Sequence, residues 1–131
     1  MDDDLFFAYN GIDEYIDLPK SRLDAMEERR IAYMKRERSI QRIAMLNNKG
    51  IELEKRGEIQ EAIKIYEQNI SYGDCDATHS YNRLMILYRK QKDYINEMRV
   101  IKKAIYMFPK EKKYTERLKK VEMLSNQDVT K

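Results

Sequence analysis

LNNKGIELEKRGEIQEAIKIYEQNI, residues 46–70, is restated thirty-five positions later as YNRLMILYRKQKDYINEMRVIKKAI, residues 81–105. Asn47, Ile51, Lys55 and Ile70 return as Asn82, Ile86, Lys90 and Ile105. Within the first stretch Ile59, Ala62, Ile63, Tyr66 and Ile70 follow the i, i+3, i+4, i+7 spacing of one apolar helical stripe. In the second, Tyr81, Leu84, Leu87 and Tyr88 form one stripe, and Tyr94, Met98, Ile101, Ala104 and Ile105 another. Lys55-Arg56-Gly57-Glu58 supplies terminal bases, a helix-ending glycine and an acid that opens the next helix, and Lys92-Asp93 marks the corresponding turn. Each unit is therefore a helix–turn–helix with one face to bury. Neither buries it alone, and stacking buries both.

Outward from the repeat, Leu23, Met26, Ile31, Tyr33, Met34, Ile40, Ile43, Ala44 and Leu46 recur at roughly helical spacing with no Gly or Pro before Gly50. They predict either one helix from Ser21 to about Arg56 or two that meet near Ser39. Ser21 followed by Asp24 is a variant of the capping box, which satisfies orphan amides at a helix start. SYGDCDATHS, residues 71–80, has turn composition, and Phe108-Pro109 ends the fourth stripe. Tyr114, Leu118, Val121 and Leu124 predict a last helix over about 111–125. The fold class expected is all-α, with antiparallel hairpins, a long N-terminal helix and a C-terminal capping helix.

The small residue Gly50, the large Leu53, the crossing Ala62 and the aromatic Tyr66 of unit 43–76 resemble the tetratricopeptide repeat (TPR) position by position. In unit 78–111, Leu84, Tyr88, Ala104 and Pro109 match, with Ile101 at the aromatic position. Asn69 and Asp74 depart from the pattern in the first unit, as do Met85 and Glu97 in the second, and the match covers about 69 of 131 residues. The resemblance implies a short TPR-like solenoid, with residues 21–131 as one domain behind an acidic aromatic segment, residues 1–20. It also implies a non-enzymatic adaptor that holds a protein or peptide on its concave face. Carried onto this chain, that face is Asn47, Ile51, Glu54, Lys55, His79, Asn82, Arg83, Ile86, Arg89 and Lys90. Some family members clamp a C-terminal carboxylate with Lys, Asn and Arg. Asn47 and Ile51 stand where the clamp's first lysine and its asparagine would be, so that clamp is not supported. Arg83 and Arg89 still suit an acidic peptide, because guanidinium groups pair with carboxylates in a forked geometry. The alternative reading of the same residues is a solvated face.

Composition narrows the remaining classes. Charged residues make up 37% of the chain, against four glycines and two prolines, which suits helices with wet faces. The longest run without a charge, Leu5 to Ile12, is eight residues, against the roughly 20 needed to span a bilayer. An opening of Asp2, Asp3 and Asp4 is not that of a secretory leader, so a cytoplasmic location is expected. One His and one Cys supply no catalytic constellation, and Cys75 with His79 makes half a zinc site at most. No metal and no cofactor is expected, and Asp74 or Asp76 reads as a polar turn that starts the following helix.

The net charge of +3 conceals an asymmetry, since residues 1–19 carry six acids and no base. That stretch also holds Leu5, Phe6, Phe7, Tyr9, Ile12, Tyr15, Ile16 and Leu18, more apolar surface than a free tail carries. It is expected to pack on the basic body, in cis or exchanged in a homodimer, to complete the core as a partial hairpin, or to serve as a recognition motif for another protein. Lys102, Lys103, Lys110, Lys112, Lys113, Arg117, Lys119 and Lys120 support the alternative from another class, a basic nucleic-acid-binding helical protein.

Overall fold

The computed structural model describes residues 20–130. Expectations for residues 1–19, including their packing and homodimer role, lie outside the described residues. The described chain is all-α, with five helices: α1 (Lys20–Lys55), α2 (Ile59–Ser71), α3 (His79–Lys90), α4 (Tyr94–Met107) and α5 (Lys112–Thr130). No helix among the described residues is long and apolar enough to cross a membrane.

Of the two expectations for residues 21–56, the single helix is observed. Contacts divide the described chain into two units between residues 38 and 39, a boundary that falls inside α1. In the first unit Met26 is buried, while Ile31, Tyr33 and Met34 stand exposed. In the second, the α1 stripe Ile43, Leu46 and Gly50 turns inward. Gly50 is required there by space, because a Cβ at that position would overlap the Tyr66 ring of α2. The two helices consequently cross closely, and Tyr66 is fully buried over the gap.

From Ser39 onward the core is one cluster, fed by Ala62, Ile63, Tyr66 and Ile70 of α2, Tyr81, Leu84, Met85 and Leu87 of α3, Val100, Ile101 and Ala104 of α4, and Tyr114 and Val121 of α5. Helices adjacent in sequence pack together from α2 through α5. Each fully buried large apolar side chain contributes about 1.5–3 kcal/mol relative to exposure. At the α4–α5 corner Phe108 meets Tyr81 edge-on at 5.4 Å and Tyr114 at 6.2 Å. That wedge holds the last helix against the hairpin before it.

The two helix–helix turns are built alike. After α1, the Gly57 amide donates to the Glu54 carbonyl and the Glu58 amide to the Leu53 carbonyl, with Gly57 at φ 78°. After α3, the Lys92 amide donates to the Arg89 carbonyl and the Asp93 amide to the Tyr88 carbonyl, with Lys92 at φ 56°. Both are Schellman motifs, which satisfy the orphan carbonyls of a helix end through one left-handed residue. They differ at the next step. Asp93 caps α4 by accepting from the Asn96 amide at 3.2 Å, whereas Glu58 makes no side-chain cap on α2.

The 72–78 linker departs from expectation in one detail. Asp74 does not cap α3, whose N-cap Thr78 makes no side-chain capping bond. Its carboxylate instead accepts hydrogen bonds from Ser39 Oγ at 2.7 Å and from Arg42 Nη2. Arg42 also lies 4.0 Å over the Tyr72 ring. A charge-assisted pair at this spot outcompetes a cap, because α1 brings a guanidinium within reach of the turn.

Candidate functional site

Residues 39–55 of α1, α3 and α5 are joined by side-chain bonds that skip the intervening helix. Arg83 of α3 forks onto Glu54 of α1, Nε to Oε2 at 3.0 Å and Nη2 to Oε1 at 2.5 Å. Tyr66 adds its hydroxyl to the same carboxylate at 2.6 Å. Ser80 Oγ donates to Asn47 Oδ1, which also accepts from Asn69 Nδ2 at 3.0 Å. Between α3 and α5, Tyr114 Oη donates to Asn82 Oδ1 at 2.8 Å. The α2–α4 side carries its own bond, Arg99 to Glu67 at 2.5 Å.

Burial opposes ionisation of Glu54, but the Arg83 guanidinium and the Tyr66 hydroxyl outweigh it and hold the carboxyl below its ordinary value. The phenol of Tyr66 moves the other way, raised by burial and by donation to Glu54. His79 stands edge-on to Tyr66 with centroids 5.7 Å apart. Its pKa is lowered by burial and by the nearby Arg83 charge. His79 Nε2 is buried without a hydrogen-bond partner among the described residues.

A second polar group lies at the far end of α3. Glu97 of α4 is fully buried, at the position where the first unit places Ala62. Two guanidinium groups meet it: Arg89 of α3 at 2.8 Å and Arg117 of α5 at 3.1 Å. Burial and the neighbouring Arg89 charge lower the Arg117 pKa. A buried carboxylate without such partners would be costly, and here two cations compensate one anion. The triad keeps an excess of positive charge.

Beside this triad, Asn82, Met85, Ile86, Lys113, Tyr114 and Arg117 line a pocket of about 330 Å³. Asn82 and Ile86 were expected in the site. Lys113, Tyr114 and Arg117 are not among the expected concave-face residues, because the repeat resemblance makes α5 a cap and only the nucleic-acid alternative uses Lys113 and Arg117. A further thirty-five-residue offset carries His79 onto Tyr114 and Asn82 onto Arg117, so α5 treated as a third first-helix yields those two.

The other expected residues divide into three groups. Asn47, Glu54, Arg83 and Arg89 are engaged within the chain, as described. Ile51 and His79 are half-buried, and Lys55 and Lys90 are exposed in the last turns of α1 and α3, where cations oppose the negative helix end. Thus the two arginines that suited a partner's carboxylate each hold a carboxylate of this chain. The signal was present in Glu54 and Glu97, acids on otherwise inward-facing positions.

The Asp74-Cys75-Asp76 turn offers less chemistry. Cys75 is buried and its thiol is pushed up, chiefly by that burial. Tyr81 Oη donates to the Cys75 carbonyl at 3.0 Å, and burial pushes its phenol up to about 12. Among the described residues no three His, Cys, Asp or Glu side chains gather as metal ligands would. No family model matches the chain, and no curated protein or solved structure matches it.

Proposed function

We propose that residues 39–130 form a short TPR-like array and serve as a non-enzymatic, cytoplasmic adaptor that holds a protein segment against α1, α3 and α5. The thirty-five-residue correspondence supports the array: Gly57 and Lys92 occupy matching turns, and the positions of Gly50 and Tyr66 are taken in the second unit by Met85 and Ile101, both buried. A small residue paired with a large one at these positions becomes a large one paired with a smaller one, so the change in volume at one position is partly offset at the other. The observation that carries the function is the α3–α5 pocket, in which apolar Met85 and Ile86 lie beside Asn82, Tyr114, Lys113 and Arg117. An apolar floor with a few convergent polar groups is the usual form of a recognition pocket. The excess positive charge of the Arg89–Glu97–Arg117 group favours an acidic segment.

The test is affinity capture from native lysate after nuclease treatment, with the wild type beside Ile86→Glu and Lys113→Glu. Ile86 is half-exposed and Lys113 exposed, so both variants are expected to fold. A defined protein retained by the wild type and lost with both variants supports the reading. If the captured material is nucleic acid, lost at moderate salt and indifferent to the variants, the lysine-rich surface of α4 and α5 is the working one and this reading fails.

A further inference from the structure

A second pocket, of about 400 Å³, lies between the C-terminal ends of α2 and α4, away from the residues of the proposed groove. Ile70, Tyr81 and Met107 give it apolar walls, Lys102 and Lys103 stand at its margin, and Tyr106 is 84% exposed beside it. Neither lysine pairs with a carboxylate among the described residues. An apolar cavity of about 150 Å³ already holds a benzene ring, so this one admits an aromatic side chain together with some backbone. Apolar walls with a cationic margin select a ligand that carries aromatic groups next to acids.

The chain contains such a sequence. Residues 1–9 read MDDDLFFAY, three carboxylates followed at once by Leu5, Phe6 and Phe7, and residues 1–19 hold no base at all. We propose that the α2–α4 pocket receives this acidic aromatic stretch from a second copy of the chain, so that two copies exchange their N-terminal segments. Phe6 or Phe7 fills the pocket, and Asp2, Asp3 and Asp4 face Lys102 and Lys103. Exchange between copies is favoured over a single-chain arrangement by α1, where Ile31, Tyr33, Met34 and Ile40 are between 42% and 64% exposed. Ile31 and Met34 share one face of α1 and Tyr33 and Ile40 another, so α1 leaves apolar side chains on two faces for a second chain to cover. An exchanged pair supplies a second chain to cover them. Exchange of an identical element is also a low-cost route to a dimer, because each copy contributes the same segment and the same pocket.

The experiment uses the full chain and measures mass by light scattering across a concentration series. One variant reverses the pocket, Lys102→Glu with Lys103→Glu, at exposed positions. The other reverses the segment, with Asp2→Lys, Asp3→Lys and Asp4→Lys. The wild type is expected to dimerise, and each variant alone to dimerise at least roughly tenfold more weakly. An equimolar mixture of the two is expected to recover dimer, because each segment then meets a pocket of opposite charge. Circular dichroism matching the wild type establishes that both variants fold. A wild type that is monomeric at all concentrations, variants that dimerise as well as the wild type, or a mixture that recovers nothing would each overturn the proposal.

Discussion

Gly50→Ala is expected to destabilise the protein even though it places a better helix former in a helix interior. Intrinsic propensity favours alanine by about 1 kcal/mol. Against that, a Cβ at residue 50 would stand 2.6 Å from Cζ and 2.7 Å from Cδ1 of Tyr66, closer still to Cε1. Ordinary carbon contacts lie at about 3.5–4.0 Å, so the ring must retreat by about 1 Å. Overpacking of this order costs about 1–3 kcal/mol. The retreat also breaks the 2.6 Å bond from the Tyr66 hydroxyl to the ionised Glu54, a further ~1.5–3 kcal/mol. The net loss is about 1.5–5 kcal/mol, centred at roughly 3 kcal/mol, and is measured by urea unfolding followed in the far ultraviolet. In a Tyr66→Ile background, which copies the second unit's Ile101, the clash and the hydroxyl are both gone, and Gly50→Ala becomes neutral or stabilising by up to about 1 kcal/mol. The coupling across this double-mutant cycle is then about 3 kcal/mol. Equal effects of Gly50→Ala in the two backgrounds would show that the crossing is not set by these two residues.

Three further outcomes follow from the same structure. Lys92→Gly is expected to raise stability by about 0.5–1 kcal/mol, since Lys92 occupies a left-handed conformation that Gly57 adopts freely in the matching turn; an unchanged or lowered urea midpoint would contradict this. Glu97→Ala is expected to cost about 3–5 kcal/mol by leaving Arg89 and Arg117 buried and unpaired, and Glu97→Gln to cost less, with thermal unfolding as the readout. His79 sets a pH dependence. Its folded pKa lies below its unfolded value of about 6.5, so the unfolded chain binds the extra proton and stability falls as pH drops through and below that value. His79→Asn is expected to flatten the stability profile between about pH 7 and 5.5, and a profile identical to the wild type would dismiss the histidine as its source.

The apolar stripes and breakers of residues 43–108 were readable because each is a local property. Period, glycine placement and Phe108-Pro109 fix where helices start and stop with no knowledge of neighbours. The site was readable only in outline. Asn82 and Ile86 fall at the pocket because they lie on the outward edge of α3, which periodicity gives. Whether an arginine on that edge is free or engaged depends on which acid a separate helix brings to it. Arg83 meets Glu54 twenty-nine residues earlier in the chain, and Arg89 meets Glu97 across a turn. Such pairings are tertiary, and no local pattern distinguishes a solvated arginine from a paired one. Asp74 was missed for the same reason, since Ser39 and Arg42 compete with the cap that its position suggests.

The joint between α5 and the hairpin before it combines an aromatic wedge with the two-arginine grip on Glu97. Among the described residues α2 and α3 meet instead through apolar side chains and the Asn69–Ser80 and Tyr88–Glu67 hydrogen bonds, with no buried ion pair between them. These joints respond differently to heat and cold. Hydration of charged groups becomes less favourable as temperature rises, so the cost of keeping Glu97, Arg89 and Arg117 out of water shrinks on warming. Apolar contacts weaken on cooling instead. The array is therefore fastened by two kinds of joint with opposite temperature coefficients. Its most weakly held seam moves along the helices as the temperature changes.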